Sequence, residues 1–155
     1  MRGKVISISA SARFAQYWLP VLVMLTIQFG FSTNAFSSDE TSRYVVPILK
    51  FFFRNLTPDR VEFWHHVVRK AAHVTESCIL GILVYRALQI DVANQAMVRT
   101  VTVLFVTTAA LMDEFHQSFV PSRTSSLFDV GFDCMGGLIA LLLMWAWRNS
   151  RVVEE

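Results

Sequence analysis

Four runs of apolar residues, each close to the length of a membrane-spanning helix, constrain this chain more than any other feature. They cover residues 14–31, 67–88, 98–120 and 127–147. A bilayer hydrocarbon core about 30 Å thick needs about 20 mostly apolar residues in a helix. The runs therefore predict an all-α fold, a polytopic integral membrane four-helix bundle that forms a single domain over residues 1–155.

Composition also favours a membrane location, with the bilayer lipids as the expected surroundings. Hydrophobic residues make up 54% of the chain and charged residues 17%, which is too apolar for an ordinary soluble domain. The net charge is only +2. Binding to nucleic acid needs clustered cations on a solvated face, so no nucleic-acid partner is expected. Cys78 and Cys134 lie singly in apolar runs, which indicates packing rather than a disulfide or a zinc site.

The N-terminal run has the features of an anchor helix. Lys4 and Arg13 precede it, and Thr33 and Ala35 follow it, so it faintly resembles a cleavable signal peptide. It is longer than the usual signal core of about 7 to 15 residues, which favours a retained helix. The 14 basic residues of the chain divide equally between the two membrane faces. The basic flanks of the first span then favour a cytoplasmic N-terminus.

The stretch 39–66, between the first and second spans, predicts an interfacial helical segment. Apolar residues within 44–53 recur at helical spacing beside basic residues, as in a helix that lies in the membrane interface. Thr57 followed by Pro58 has the pattern of an N-cap and a first helical position. A second helix is therefore expected to begin there and to continue into the second span.

Three of the four spans carry ionisable residues at ends that should meet at one membrane face. Because successive spans alternate in direction, the end of the third span lies beside the starts of the second and fourth. The expected catalytic residues are His73, Glu76, Asp113, Glu114, His116, Gln117, Asp129 and Asp133. The expected substrate-binding residues are Arg69, Lys70 and Arg123. Ionisable groups at membrane depth are costly, which makes this group a candidate site.

Helical spacing assigns most of these residues to shared faces. Residues three or four apart lie on one face of a helix, which aligns Lys70 with His73 and Ser77. The same spacing aligns Asp113, His116 and Gln117, and it aligns Asp129, Asp133 and Gly137. Glu114 lies off the face of Asp113, so helical spacing does not indicate which neighbouring helix its side chain faces. The adjacent glycines 136 and 137 predict close approach of a neighbouring helix.

The charges of the predicted site do not balance, since it holds five acidic residues and three basic ones. Protonated histidines, protonated carboxyls or a bound divalent metal would each restore the balance. The metal-ligand candidates are His73, Glu76, Asp113, His116 and Asp133. No zincin spacing and no GxSxG motif is present, and the serines near His116 give only a weak signal for a triad. The structural alternative is that these side chains only pair with one another.

Three segments closely resemble the VanZ-like family of bacterial membrane proteins. They are RKAAHVTE at 69–76, DEFHQSFVPSR at 113–123 and DVGFDCMGG at 129–137. The resemblance covers nearly the whole chain from the first span to the fourth. The chain departs from the family pattern at Ser77, where an aromatic residue is common, and at Ser122, where glycine is common.

The resemblance implies a multi-helix protein of the bacterial cytoplasmic (inner) membrane, and its namesake acts in resistance to the glycopeptide teicoplanin. It does not fix a biochemical activity. One hypothesis is that the protein acts on an envelope lipid, on a lipid-linked wall precursor, or on the access of a glycopeptide to that precursor. As an enzyme it would be a hydrolase or transferase that uses acid-base or metal-assisted chemistry. The alternatives are a non-catalytic binding or assembly protein and, less favoured, an ion conductor.

Overall fold

The computed structural model describes residues 10–33, 38–53, 57–121, 123 and 125–152. Within these ranges the secondary structure is entirely helical. The helices are α1 (Ala10–Phe31), α2 (Ser38–Phe52), α3 (Pro58–Leu88), α4 (Gln95–Gln117) and α5 (Leu127–Val152). The four apolar runs are therefore helical, as predicted. Several of the helices are longer than predicted, and α4 ends at Gln117 rather than at Val120.

Helix boundaries follow local sequence signals. Asn94 caps α4, where its side-chain oxygen accepts hydrogen bonds from the backbone N–H groups of Ala96 and Met97 at 3.0 and 3.2 Å. The prediction that a helix begins at Pro58 and continues into the second apolar run is confirmed, because α3 runs without a break to Leu88. Thr57 occupies the N-cap position of α3 with extended backbone, but its side chain makes no capping hydrogen bond.

Among the helices that the structure describes, three are long and apolar enough to cross a membrane, so the chain is a membrane protein. They are the segments Ser11–Phe31, Gln95–Gln117 and Leu127–Arg151. Their outward faces carry large exposed apolar side chains, such as Leu22, Leu104 and Leu142. In a soluble protein such faces would be costly, whereas lipid tails solvate them.

The central helix of the molecule is α3, because α1, α2, α4 and α5 all pack against it. Its contact with α5 is the most extensive and passes through glycines. A Cβ atom built on Gly136 would lie 3.0 Å from the backbone nitrogen of Cys78, and it would also meet the carbonyl oxygen of Val74. A Cβ built on Gly81 would lie 2.8 Å from that of Ala140. The expected close approach at the paired glycines of the last span is thus confirmed.

Away from the polar residues the helices enclose an apolar core. Its fully or nearly fully buried members are Val21, Met24, Leu80, Val84, Ala87 and Val106. We call this group the apolar layer. Its residues come from α1, α3 and α4, and a second buried cluster at Tyr85, Val98 and Met144 adds α5. The apolar layer holds α1, α3 and α4 together, and the α3–α5 glycine contacts bring in α5. This fixes the position of the helix ends that carry the polar residues.

Candidate functional site

The polar residues predicted from the sequence gather where α1 and α4 end, α5 begins, and α3 passes between them. We call this group the polar layer. It comprises Gln28, Ser32, Arg69, Lys70, His73, Glu76, Ser77, Asp113, Glu114, His116, Gln117, Arg123, Asp129 and Asp133. Seven polar or charged residues are buried among those described, and six of them, all except Thr102, belong to this layer.

Asp133 of α5 links two residues of α3. Its Oδ1 atom accepts a hydrogen bond from the Ser77 hydroxyl at 2.7 Å, and its Oδ2 atom lies 3.3 Å from His73 Nδ1. Asp133 is 3% exposed. One turn earlier, Lys70 forms an ion pair with the buried carboxylate of Asp129, in the first turn of α5. The face that the sequence assigned to Lys70, His73 and Ser77 is therefore the face of α3 that contacts α5.

A second set of contacts joins α3 to α4. The Gln117 amide donates a hydrogen bond to Asp113 Oδ2 at 2.7 Å, one turn back on the same helix. Arg69 donates a longer hydrogen bond, of 3.5 Å, to the side-chain oxygen of Gln117. Gln117 is 1% exposed, so its amide is held in a single orientation by an acceptor on one side and a donor on the other.

Glu114 occupies a position that helical spacing did not reveal. It is 3% exposed, and its Oε2 atom accepts a hydrogen bond of 2.6 Å from the backbone N–H of Ser126, just before α5. Its Oε1 atom is also buried and has no hydrogen-bond partner within the described residues. Glu114 therefore points inward toward α5, although it lies off the face that carries Asp113.

His116 lies on the other flank of α4. Its Nδ1 atom is 3.1 Å from the hydroxyl of Ser32, the residue that follows α1, and its ring centroid lies 4.4 Å from that of Phe29 in α1. Successive residues turn about 100° around a helix, so Glu114 and His116 are about 160° apart on α4. This separation takes His116 toward α1 and Glu114 toward α5.

One group of potential metal ligands forms within the described ranges. A nitrogen of His73 and one carboxylate oxygen each from Glu114 and Asp129 lie within 4.8 Å of one another. Of the ligand candidates expected from the sequence, only His73 belongs to this group. The remaining candidates are Glu76, Asp113, His116 and Asp133, of which Asp133 contacts the His73 ring from outside the group.

Two cavities meet at the polar layer. One cavity, of about 240 Å³, lies under α2; ten of its fourteen lining residues are polar, among them His65, Arg69 and Arg123, and we call it the polar cavity. The other, of about 480 Å³, lies between α1 and α4 and is lined equally by polar and apolar residues. We call it the apolar cavity because of the apolar residues that set it apart from the first, which include Leu22, Leu25, Phe29, Ala109 and Met112. The residues that line both cavities are Gln28, His73, Glu76 and Asp113. A molecule with a polar end and an apolar end would therefore fit across the two.

Arg123 ties the link between α4 and α5 to the end of α1. Its guanidinium donates hydrogen bonds to the carbonyl oxygens of Phe31 and, at 3.4 Å, Thr33. Cations are favourable at a helix C-terminus, where carbonyl groups lack partners. Burial, and next the nearby Arg69 charge, lower the pKa of Arg123 from its ordinary value.

Sequence reasoning did not include Gln28, Ser32 or Ser126 in the site. Gln28 and Ser32 are four residues apart near the end of α1, and this spacing of uncharged polar residues in an apolar helix was the available signal. The contact of Ser126 with Glu114 is made by its backbone, which no sequence signal reveals. The serine near His116 is Ser32 rather than one from the following link, where Ser122 lies outside the described residues.

The arrangement provides groups for acid-base chemistry. One histidine and two carboxylates, those of Glu76 and Asp113, line the junction of the two cavities, and two arginines and a lysine lie beside them. No serine of the described chain contacts a histidine that is itself bonded to a carboxylate, so the parts of a nucleophilic triad are not assembled here.

Comparison with known proteins agrees with the motifs. The family described as VanZ/LLP1 matches the chain over residues 16–148, which includes all three segments that carry the resemblance. No match was found among curated proteins or among solved structures. Because the family match extends over most of the chain and contains the whole polar layer, this protein belongs to the VanZ/LLP1 family.

Proposed function

We propose that this protein is a multi-pass protein of the bacterial cytoplasmic membrane that binds an envelope lipid or a lipid-linked wall precursor at its polar layer and acts on it there, and thereby contributes to resistance to teicoplanin. The observation that carries the proposal is the junction of a polar cavity with an apolar cavity at His73, Glu76 and Asp113. Membership of the VanZ/LLP1 family supports the link to glycopeptides.

The proposed membrane arrangement is a four-helix bundle in which the second half of α3 crosses together with α1, α4 and α5. Those three helices surround α3, where Leu80 and Val84 are fully buried, so α3 is held at the same depth. Helix α2 would lie in the interface, with Val45 and Leu49 half-buried and Tyr44 and Lys50 exposed. With a cytoplasmic N-terminus, the polar layer faces the outer side of the membrane.

The two cavities suit the two ends of a lipid. The apolar cavity opens between α1 and α4, where Phe29 and Met112 are exposed toward the surrounding lipid. A hydrocarbon chain could enter there from the bilayer without crossing water. Its polar head would then reach the polar cavity, where Arg69 and Arg123 offer donors to phosphate or carboxylate oxygens.

Filling the apolar cavity tests lipid binding. Ala109 lines this cavity, whereas Ala146 is exposed on the outer surface of α5. In nanodiscs, Ala109→Phe should weaken the binding of a fluorescent polyprenyl diphosphate by about 10-fold, equivalent to about 1.4 kcal/mol. Ala146→Phe is the matched control and should bind as the wild type does. Equal binding by both variants would contradict the lipid site.

The role of the polar layer as the functional site has its own test. Asp113→Asn, His116→Ala and Asp133→Asn each remove a group that could transfer a proton or contact the lipid head. Variants that remain folded in detergent should lose the ability to raise teicoplanin resistance in a host strain. If all three fold and retain full resistance, the polar layer is not the functional site.

The second candidate function is a non-catalytic binding or assembly protein. The observation that favours it is the pairing within the layer: Asp133 with Ser77 and His73, and Lys70 with Asp129. Such pairs can fix the packing of helices without any chemistry. An assay of the bound lipid by mass spectrometry distinguishes the two functions. An enzyme converts the lipid to a product, whereas a binding protein returns it unchanged.

A further inference from the structure

We infer that His73, Glu114 and Asp129 form a binding site for one divalent transition-metal ion. This inference deepens the proposed function and rests on it for its biological role, because the metal would lie in the layer where the lipid head is proposed to bind. Its test measures metal rather than lipid, so either idea can fail alone.

Three helices each contribute one ligand to this site. His73 belongs to α3, Glu114 to α4 and Asp129 to α5, and their ligand atoms lie within 4.8 Å of one another. Ligands about 2.0–2.2 Å from a tetrahedral zinc ion are about 3.3–3.6 Å apart. Inward movements of each ligand atom by up to about 0.8 Å, which are within the reach of side-chain rotation, would therefore close the side chains around an ion.

The buried oxygen of Glu114 is an independent indication of a ligand. Glu114 is 3% exposed, and its Oε1 atom has no hydrogen-bond partner in the part of the chain that the structure describes. Its other oxygen is held by the Ser126 N–H at 2.6 Å, which fixes the orientation of the carboxylate. A buried carboxylate oxygen without a partner is costly, and coordination to a cation removes that cost.

His73 is held in the manner of a metal-ligating histidine. Its Nδ1 atom lies 3.3 Å from Asp133 Oδ2, and Asp133 is fixed in turn by the Ser77 hydroxyl at 2.7 Å. When Nδ1 donates its hydrogen to the carboxylate, the lone pair of the ring is on Nε2. A carboxylate that orients a histidine in this way is a recurrent feature of metal sites.

Charge explains the position of Lys70. Its ammonium group pairs with Asp129, so in the absence of a metal it supplies part of the positive charge that the layer needs. The same ammonium lies 5.4 Å from the ring centroid of Phe132. The lysine can move toward that ring when a divalent ion takes its place at Asp129, since a cation is stable over an aromatic face.

The ligand types define the class of metal. One imidazole nitrogen and two carboxylate oxygens suit zinc, manganese or iron better than calcium or magnesium, which prefer oxygen ligands alone. Three protein ligands also leave a coordination position open for an oxygen of a bound molecule. In this protein the adjoining polar cavity, which His73 also lines, provides the room for such a molecule.

Metal titration of the purified full-length protein tests the site. After EDTA treatment in detergent, Zn²⁺ and Mn²⁺ are titrated separately, and bound metal is measured by elemental analysis. The wild type should bind one equivalent of at least one of them, and Glu114→Gln should bind it at least about 100-fold more weakly. Glu62→Gln is the matched control, because Glu62 is an exposed glutamate of α3, and it should bind as the wild type does.

Two results would overturn the inference: no saturable binding of either metal by the wild type, or equal affinity in Glu114→Gln and the wild type. Lys70→Met keeps the test decisive if Glu114→Gln does not fold. Removing the competing ammonium should tighten metal binding, and unchanged or weaker binding would contradict the site. Loss of lipid binding in Ala109→Phe with metal binding intact shows the two proposals to be separable.

Discussion

The polar layer and the apolar layer are built by the same helices yet are held together by different interactions. In the apolar layer, residues such as Leu80, Val84 and Val106 contact each other through non-directional dispersion forces. In the polar layer, Asp133 and Gln117 are held by hydrogen bonds of 2.7 Å with fixed donors and acceptors. The stability of the apolar layer therefore depends on the fit of its side chains, whereas the stability of the polar layer depends on the orientation of each donor and acceptor.

The membrane increases this difference. Lipid tails are as apolar as leucine, so burying an apolar side chain between helices gains little beyond close packing. A polar side chain has no comparable partner in lipid, so its contacts with other helices are harder to replace. A substitution in the polar layer should therefore destabilise the protein more than a comparable substitution in the apolar layer.

Gly136, where the two layers meet, should be the most sensitive position. Gly136→Ala places a Cβ against the backbone of α3 at Val74 and Cys78, which cannot move aside cheaply. We expect the free energy of unfolding in detergent to fall by about 3 kcal/mol. Gly131→Ala on the same helix is the control. It has open space around it and should be neutral or slightly stabilising. Equal stability of the two variants would contradict the close approach of α3 and α5.

Asp133→Asn should be the next most damaging change. It keeps the shape of the side chain but removes the charge that faces His73 and the Ser77 hydroxyl. We expect the free energy of unfolding to fall by about 2–3 kcal/mol, because charged hydrogen-bond partners in a buried site are costly to remove. Asp91→Asn, on the exposed loop before α4, should change the free energy of unfolding little. A neutral Asp133→Asn would show that the polar layer does not stabilise the fold.

Leu80→Ala should have a smaller effect than Asp133→Asn, although Leu80 is fully buried. Lipid or detergent solvates apolar groups in the unfolded state, so the main remaining cost of the substitution is the cavity that it leaves in the folded state. We therefore expect the free energy of unfolding to fall by about 1–2 kcal/mol. Leu104→Ala removes the same atoms from an exposed position on α4 and is the control. A loss larger than that of Asp133→Asn would reverse the ranking of the two layers.

The docking of α2 on α3 should weaken in acid, with the smallest effect of the four. Thr41 of α2 lies 3.2 Å from His65 Nε2. Burial, followed by the nearby charges of His66 and Arg69, lowers the pKa of His65 below its ordinary value of 6.5. A lowered pKa favours the neutral ring in the docked state. The stabilisation is therefore complete above the ordinary pKa and is lost as pH falls through the lower, folded value.

Hydrogen exchange of the α2 amides, corrected for intrinsic rates, measures this effect between about pH 7.5 and pH 5.5. The wild type should become less protected at the lower pH. His65→Gln keeps a group that can bond to Thr41 but does not titrate, so its protection should not depend on pH. Protection that rises on acidification would contradict the assigned direction.

Much of the fold and part of the candidate site were predictable from the sequence. The apolar runs predicted the helices because the bilayer imposes a minimum length on any span. Helical spacing correctly put Lys70, His73 and Ser77 on one face of α3, since that periodicity is a local property of the backbone. Membership of the VanZ/LLP1 family was likewise predictable, because contiguous segments of the chain carry the resemblance.

The direction of each α4 side chain was decided only by the tertiary structure. Spacing grouped His116 with Asp113 and left Glu114 without a direction, yet His116 contacts α1 and Glu114 contacts the start of α5. A helix in a bundle is surrounded by several neighbours, so polar residues on different faces can all be buried. Sequence periodicity gives the angle between two residues on a helix. It does not give the position of the neighbouring helices, which packing at Gly81 and Gly136 determines.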